Sequence, residues 1–390
     1  MFIIPLANAY SSDNTDSYRA DISLTRLIDY LSYSYKGFDI QISGISVGET
    51  FDDNVTYARK NKKEDFITLA GLGIGAKYEG RTRSFELTGN VTQRMYAKNS
   101  NFDNTTEEVA LNFSNEFSEH ARMSLSNVFI HSNEPLFNRG NFFDEQFGRR
   151  GGQFEHFRNR FDINYTRDFT RQLTIIARYG NSLDIFSGVD LQDSFLNNAG
   201  FEANYLLSAT TTFLLSYDFV HREFEDNESA SINTVATGVR QYITRKLYFD
   251  IRPGLDFIDS FDDENLTKPV IMTSLTYQKD TDTIARLIFE KKYDTNVYNE
   301  DIVNRWRTTA SVTRQLMERL RCSLSIFYSE GEFISSDFKN RLLGTSSTIN
   351  YDITKILKGN FTYTYSHSDT NSETTGYTKN TVFLGLTAEF

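Results

Sequence analysis

From residue 38 onward, apolar and polar residues alternate with a period of two. Leu247, Phe249, Ile251, Leu255 and Phe257 interleave with Tyr248, Asp250, Arg252 and Asp256. Val109, Leu111, Phe113 and Phe117 interleave with Ala110, Asn112, Ser114 and Glu116, and Leu72, Ile74, Ala76 and Tyr78 with Gly71, Gly73, Gly75 and Lys77. Successive side chains of a strand point to opposite faces, so this pattern predicts strands with one apolar and one polar face. About 18 such segments can be counted, with 16 as the alternative, and most are far longer than the usual strand of about five or six residues. Strands of that length suit a tilted bilayer crossing better than a soluble sandwich.

The connections fall into two kinds. Long polar segments (Asp52–Glu64, Lys98–Thr105, Glu134–His156, Ser260–Lys268, Asp294–Asn304) follow the odd strands, and tight turns such as Gly80-Arg81-Thr82, Glu119-His120, Thr170-Arg171 and Asp280-Thr281 follow the even ones. Short turns on one side and long loops on the other are the layout of a transmembrane antiparallel up-and-down β-barrel. A propeller would also suit the hairpin period of about 35 to 40 residues, but each unit holds two long strands instead of a four-stranded blade. Placing the C-terminus on the periplasmic side puts Tyr78, Phe85, Phe117, Phe169, Phe213, Phe249, Tyr277, Tyr351, Phe361 and Phe390 near the short-turn ends, a candidate aromatic girdle. Pro253 sits inside a strand, where it cannot donate to a ladder, so a local bulge is expected there.

Composition narrows the function. The 390 residues include 33 Phe and 22 Tyr against one Trp, 4 Pro and one Cys, with a net charge of −11. A lone Cys322 excludes a disulfide framework or a CxxC metal site, and the acidic balance argues against nucleic acid. Met1 to Ala9 ends in Ala-Asn-Ala after a short apolar run, the form of a signal-peptide remnant, although the basic region that should precede it is missing. The expected organisation is therefore 1–9 signal-peptide remnant, 10–37 a periplasmic or lumenal segment, and 38–390 the barrel.

Assigning the polar phase to the lumen gives a pore-lining set. It contains the bases Lys77, Arg94, Arg158, Arg160, Arg178, Arg222, Arg252, Arg286, Lys292, Arg305 and Arg307, and the acids Glu86, Glu108, Glu116, Asp162, Glu202, Asp218, Asp250, Asp256 and Glu290. Such a nearly balanced wall would select solutes by size and field; a lumen filled by its own ion pairs is the alternative. The longest connection carries aromatics, Gly and Arg together and is expected to fold inward as a constriction, with Arg139, Arg149 and Arg150 facing the solute. Surplus acid is assigned to the later external loops, among them Asp190, Glu223, Asp226, Glu228, Asp259, Asp294, Glu300, Asp301, Glu330, Glu332, Asp369 and Glu373. Asp262-Asp263-Glu264 offers hard oxygens for calcium, but without an EF-hand pattern it reads as a solvated acidic surface, and no metal or cofactor is expected. The five His show no spacing that recommends a triad or metal site, so no enzyme is expected.

Phe51-Asp52-Asp53-Asn54-Val55, the Thr-Arg-x-Leu hairpin starts such as Thr170 to Leu173, and the last strand with Gly385 and terminal Phe390 resemble a family of Gram-negative outer-membrane β-barrel porins associated with exopolysaccharide export. Ala388 departs from the terminal assembly signal, which usually has an aromatic there. The resemblance implies an outer-membrane porin-like channel for passive diffusion or export of a hydrophilic solute, linked to surface polysaccharide. It transfers no catalytic residue. The implied partners are outer-membrane lipid and lipopolysaccharide, the barrel-assembly machinery and polysaccharide-export components. A non-conducting structural or adhesive barrel and a barrel enzyme are the competing readings.

Overall fold

The computed structural model describes residues 32–35, 37–133, 147, 149, 152–187, 191–226, 228–259, 265–298, 300–372 and 375–390. The segment 1–9, most of 10–37, Arg139, Arg150 and Asp262-Asp263-Glu264 lie outside them. The chain forms β1 (Ser32–Tyr35), β2 (Phe38–Asp52), β3 (Asp65–Glu79), β4 (Arg83–Tyr96), β5 (Asn104–Ser118), β6 (Ala121–Ser132), β7 (Glu155–Asp168), β8 (Leu173–Ser187), β9 (Ser194–Ser208) and β10 (Thr211–Phe224). It continues with β11 (Ser229–Thr244), β12 (Leu247–Asp259), β13 (Asn265–Gln278), β14 (Thr283–Asn296), β15 (Asp301–Met317), β16 (Leu320–Phe333), β17 (Lys339–Asp352), β18 (Leu357–Thr370) and β19 (Tyr377–Ala388). The single turn of helix among the described residues is Ser100–Phe102. From β2 to β19 each strand pairs antiparallel with its neighbours in sequence, and β19 pairs with β2, which closes an 18-stranded barrel. The short β1 adds to the free edge of β2 beyond the end of β19, pairing Ser32–Tyr35 with Phe38–Gln41.

The outward phase carries the apolar alternation. Leu72, Ile74, Val91, Val109, Leu215, Leu255, Leu275, Leu287, Leu324 and Leu384 are all exposed, as an apolar belt around the wall. At the short-turn end Phe38 packs against Tyr78 in a tilted pair and against Phe85 in a T-shaped one, with ring centroids 5.2 and 5.8 Å apart. Turns there span two to four residues, for example 119–120 and 169–172. In the Thr-Arg-x-Leu starts the threonine hydroxyl closes the turn: Thr170 Oγ1 accepts from the Gln172 and Leu173 amides, Thr244 repeats the bonds, and so does Thr354 in the related Thr-Lys-Ile-Leu turn. Four two-residue turns are preceded by a bulged residue that drops out of register, and that residue is large, apolar and exposed each time: Phe117, Leu207, Ile243 and Leu316.

At the opposite end the strands run further than the sequence implies. Asp294–Asn304, read as a loop, is mostly strand, with a connection of only 297–300. Charge in both phases looks like a loop, yet strand tips beyond the apolar belt need no apolar face. Pro253 is not bulged. The β11–β12 register is the same on both sides of it, from Ala236↔Gly254 to Val239↔Ile251, and only the Thr237 and Gly238 pairings are missing. The ladder skips the proline instead of bending.

The closing seam explains the Phe51-Asp52-Asp53-Asn54-Val55 motif. Asp52 forms a fully buried ion pair with Lys379 at 2.6 Å. Asp53 accepts from both the backbone and side-chain nitrogens of Asn380, each at 2.7 Å. Asn54 Nδ2 donates to the Thr378 and Ala58 carbonyls while its Oδ1 accepts from the Ala58 amide. Lower in the seam the Phe383 ring lies over Gly48 and Gly385, where added Cβ atoms would sit 2.5 and 2.4 Å from it. Lys379→Met removes the buried ammonium that pairs with Asp52 and is expected to cost about 3–5 kcal/mol. Urea unfolding of the vesicle-inserted barrel measures that loss, with Asp53→Ala expected to cost less.

Candidate functional site

Cross-strand register fixes which side chains face inward, because paired residues share a face. Lys77, Arg94, Arg158, Arg160, Asp162, Arg178, Asp218, Arg252, Asp256, Arg286, Glu290, Arg305 and Arg307 all stand in the inward phase. Many are already paired. Arg178 bridges Glu202 (3.4 Å) and Asp218 (3.1 Å), and Arg252 bridges Glu202 (3.0 Å) and Asp250 (2.8 Å). Arg240, which sequence reasoning did not single out, adds a third base at 2.7 Å from Asp250. A second group centres on buried Asp184, also missed, which meets Arg158 at 2.6 Å, His156 at 3.0 Å and Arg222 at 3.7 Å. A third joins Asp294 to Lys292 (2.9 Å) and Arg305 (3.2 Å), with Arg307 paired to Glu290. Lys77 pairs with Glu79 near the short-turn end, where both remain open to solvent. Asp294 and Asp301, assigned from sequence to an external acidic loop, stand instead in β14 and β15: Asp294 faces inward and Asp301 is buried, accepting from the Ile302 and Ser335 amides.

Ser182 and His156 both contact Asp184, at 3.2 and 3.0 Å. The carboxylate thus stands between the hydroxyl and the imidazole. Nucleophile activation needs the imidazole in the middle, so this cluster is a wall contact and not a triad. Asp226, Glu228 and Glu300 bring carboxylate oxygens within 4.8 Å of one another at the loop end.

The external half of the lumen is filled, with apolar clusters packed beside the buried ion pairs of Asp184 and Asp294. In the connection 133–154, Phe147 is buried among Val303, Phe327, Phe333 and Leu342 of β15–β17. β6 and β15 are nine places apart in a ring of eighteen strands, so this connection reaches the opposite wall. The seat is cut for it: a Cβ on Gly331 would stand 2.7 Å from the Phe147 ring and 2.7 Å from Val303. Phe147 is also held by Asn296, whose Nδ2 donates to its carbonyl at 3.1 Å, and by Arg305 over its ring. Arg149 is buried between the rings of Tyr57 (4.9 Å) and Phe154 (4.2 Å), so its guanidinium faces aromatic carbon and not open lumen. The returning arm is tied to the first connection, Gly152 N donating to Thr56 O at 2.7 Å and Gln153 Nε2 to Val55 O at 3.1 Å.

The tip of the β14–β15 hairpin crosses as well. β14 pairs with β13 only as far as Lys291↔Ile271, then leaves the wall while still paired to β15. Beyond that point Tyr293 and Ile302 are buried against Ala230, Ile232, Ile258, Val220, Leu266 and Val270, which belong to the inward face of β10–β13. Tyr293 N donates to Asp256 Oδ2 at 3.2 Å, and Arg222 Nε donates to Thr295 Oγ1 at 3.0 Å. At its end Tyr298 packs with Phe154, Phe186 and Leu191. A hairpin and a loop from opposite sides therefore interlock across the mouth. The sequence did carry a signal for this: Val220, Ile232, Ile258, Val270, Val303, Phe327 and Leu342 are apolar residues in the polar phase, at the external ends of adjacent strands.

No family model matches the chain, and no curated protein matches it. Solved structures similar to it include the siderophore receptor PirA from Acinetobacter baumannii (10% identity over 89% of this chain and 80% of that one, TM-score 0.47). The FrpB iron transporter from Neisseria meningitidis is 8% identical over 91% of this chain and 82% of its own, with a TM-score of 0.48. OccK2 (OpdF) from Pseudomonas aeruginosa, solved in complex with glucuronate, is 9% identical over 90% of this chain and 98% of its own, with a TM-score of 0.48. At these identities the likeness concerns the β-barrel architecture and carries nothing about a solute.

If Phe147 depends on the space above Gly331, Gly331→Val should expel its ring and release the buried Arg149 beside it, so that trypsin cleaves after Arg149 at least ten-fold faster than in the parent protein.

Proposed function

We propose that this chain is a bacterial outer-membrane channel for a hydrophilic solute, with an external mouth that is closed in the conformation described. The observation that carries this reading is the division of the lumen. Its wall is lined with ion-paired Arg, Asp and Glu, in a barrel of the strand number that leaves an aqueous passage, while the mouth is stopped by apolar side chains from two connections and not by the wall. The outward apolar belt, the aromatic cluster at the short-turn end and the exposed bulge residues support a position in an outer membrane, in contact with lipid and lipopolysaccharide. The alternation ending in Phe390 supports delivery there by the barrel-assembly machinery.

The solute we favour is a saccharide, and export of surface polysaccharide is the role that the resemblance in the Asp52-Asp53-Asn54 segment suggests, alongside polysaccharide-export components. Tyr57, Phe154, Phe186, Tyr298, Phe327 and Phe333 support that class, because their rings gather at the mouth where sugar faces would stack once it opens. A closed structural or adhesive barrel is the second reading, favoured by the filled mouth itself.

Planar-bilayer recording separates the two. The intact protein should show rare openings. A variant lacking residues 136–154, with Asn-Gly in place of residues 294–303 between Tyr293 and Asn304, should conduct steadily, since Asn-Gly closes a two-residue hairpin. A truncated barrel that migrates as folded when unheated yet never conducts would leave the structural reading. In the same truncated barrel, Glu202→Gln removes the acid shared by Arg178 and Arg252 and should shift reversal potentials toward anion selectivity.

A further inference from the structure

The wall of the barrel is unzipped between the upper parts of β13 and β14. Among the described residues, β13 and β14 pair from Gln278↔Ile284 to Ile271↔Lys291 and no further. Residues 265–270 of β13 continue to pair with β12, and residues 292–296 of β14 continue to pair with β15. Each of these two segments therefore has one ladder neighbour, over six residues of β13 and five of β14. An edge of ladder groups without a strand beside it is a template for one, although on the β14 side it is covered in the lumen, where Tyr293 N donates to Asp256.

The segment that fits this edge is in the chain already. Continuing the existing register, in which paired numbers sum to 562, sets Val270 opposite Lys292, Lys268 opposite Asp294 and Leu266 opposite Asn296 in the inward phase. It sets Thr267 opposite Thr295 and Pro269 opposite Tyr293 in the outward phase. The extension is chemically consistent. Lys268 meets a carboxylate, and Tyr293 continues the outward row of Ala285, Leu287 and Phe289, to which its position in the alternation assigns it. In the closed arrangement that same ring is turned onto the lumenal residues Ile232 and Ile258 instead. Pro269 has no N–H, so the completed ladder lacks one bond and stays easier to open than its neighbours.

We propose that the β13–β14 seam is the gate: the hairpin tip exchanges between the lumen, where it plugs the mouth, and the wall, where it completes the ladder in this register and clears the passage. Zipping withdraws Val303 and Asn296 from Phe147 and Tyr298 from Phe154 and Phe186, so both halves of the interlock lose their partner together. The proposal rests on the channel reading, and names the moving element and its second position.

The test uses Thr267→Cys with Thr295→Cys in the full-length protein carrying Cys322→Ser, with the single cysteines as controls. Paired residues of antiparallel strands have Cα atoms about 4.5–5.5 Å apart, which a disulfide spans. Oxidation in lipid vesicles should join the two positions, as read by mass spectrometry of the linked peptides, and raise the open fraction in planar bilayers at least ten-fold; reductant should reverse both effects. If no 267–295 bond forms while the doubly truncated barrel conducts, the zipped state is wrong and the channel reading survives. A bond that forms without raising conductance, again with the truncated barrel conducting, overturns the seam as the gate. Failure of the truncated barrel itself to conduct removes the channel reading.

Discussion

Backbone groups at membrane depth have no water to turn to, so a chain built of strands must give every strand two neighbours. That requirement orders the rest of this structure. It makes β19 return to β2, it places charge inside and hydrocarbon outside through the period of two, and it makes any unpaired edge conspicuous. The seam between β2 and β19 meets it with groups stronger than ladder bonds alone: a buried ion pair, a carboxylate clamped on Asn380, and an asparagine bridging to the Thr378 carbonyl. The upper β13–β14 edge lies beyond the apolar belt, where that requirement relaxes, and there the hairpin tip packs in the lumen.

Much of this was legible from residue types because the barrel repeats one simple rule. Alternation such as Leu247 to Phe257 assigns strand, face and partner at once, and the Thr-Arg-x-Leu turns mark one end of the barrel. What escaped was whatever broke the rule locally. Asp294 and Asp301 read as loop because they neighbour other charges, yet their strands extend past the apolar belt and turn inward. Val303 and Phe327 drew no reading, because single positions do not reveal that two connections meet over them. Pro253 reads as a bulge, but the ladder omits two pairings and keeps its register.

The closed mouth and the charged lumen differ in what holds them. The wall network is a set of ion pairs shared among several partners, Glu202 and Asp250 each serving two arginines, so that its members hold one another in place. The mouth is held chiefly by apolar contact, each large side chain contributing about 1.5–3 kcal/mol by burial. Apolar contact is non-directional and re-forms readily, and that is the property a moving part needs; a network of charge pairs in a confined lumen is better suited to standing still.

The threonine-closed turns bear on how the barrel comes into being. Each is complete within five residues and needs nothing from elsewhere in the chain, so hairpins can form one by one from local sequence. The clasp at Asp53 and Asn54 joins groups more than 320 positions apart, the separation from Asn54 to Thr378 being 324. Loop-closure entropy grows with that separation, so the ring is finished last, on a curved sheet already assembled. Until then its two free edges stand open to whatever holds them apart, and the sharpest recognition between the first and last strands is reserved for the final step.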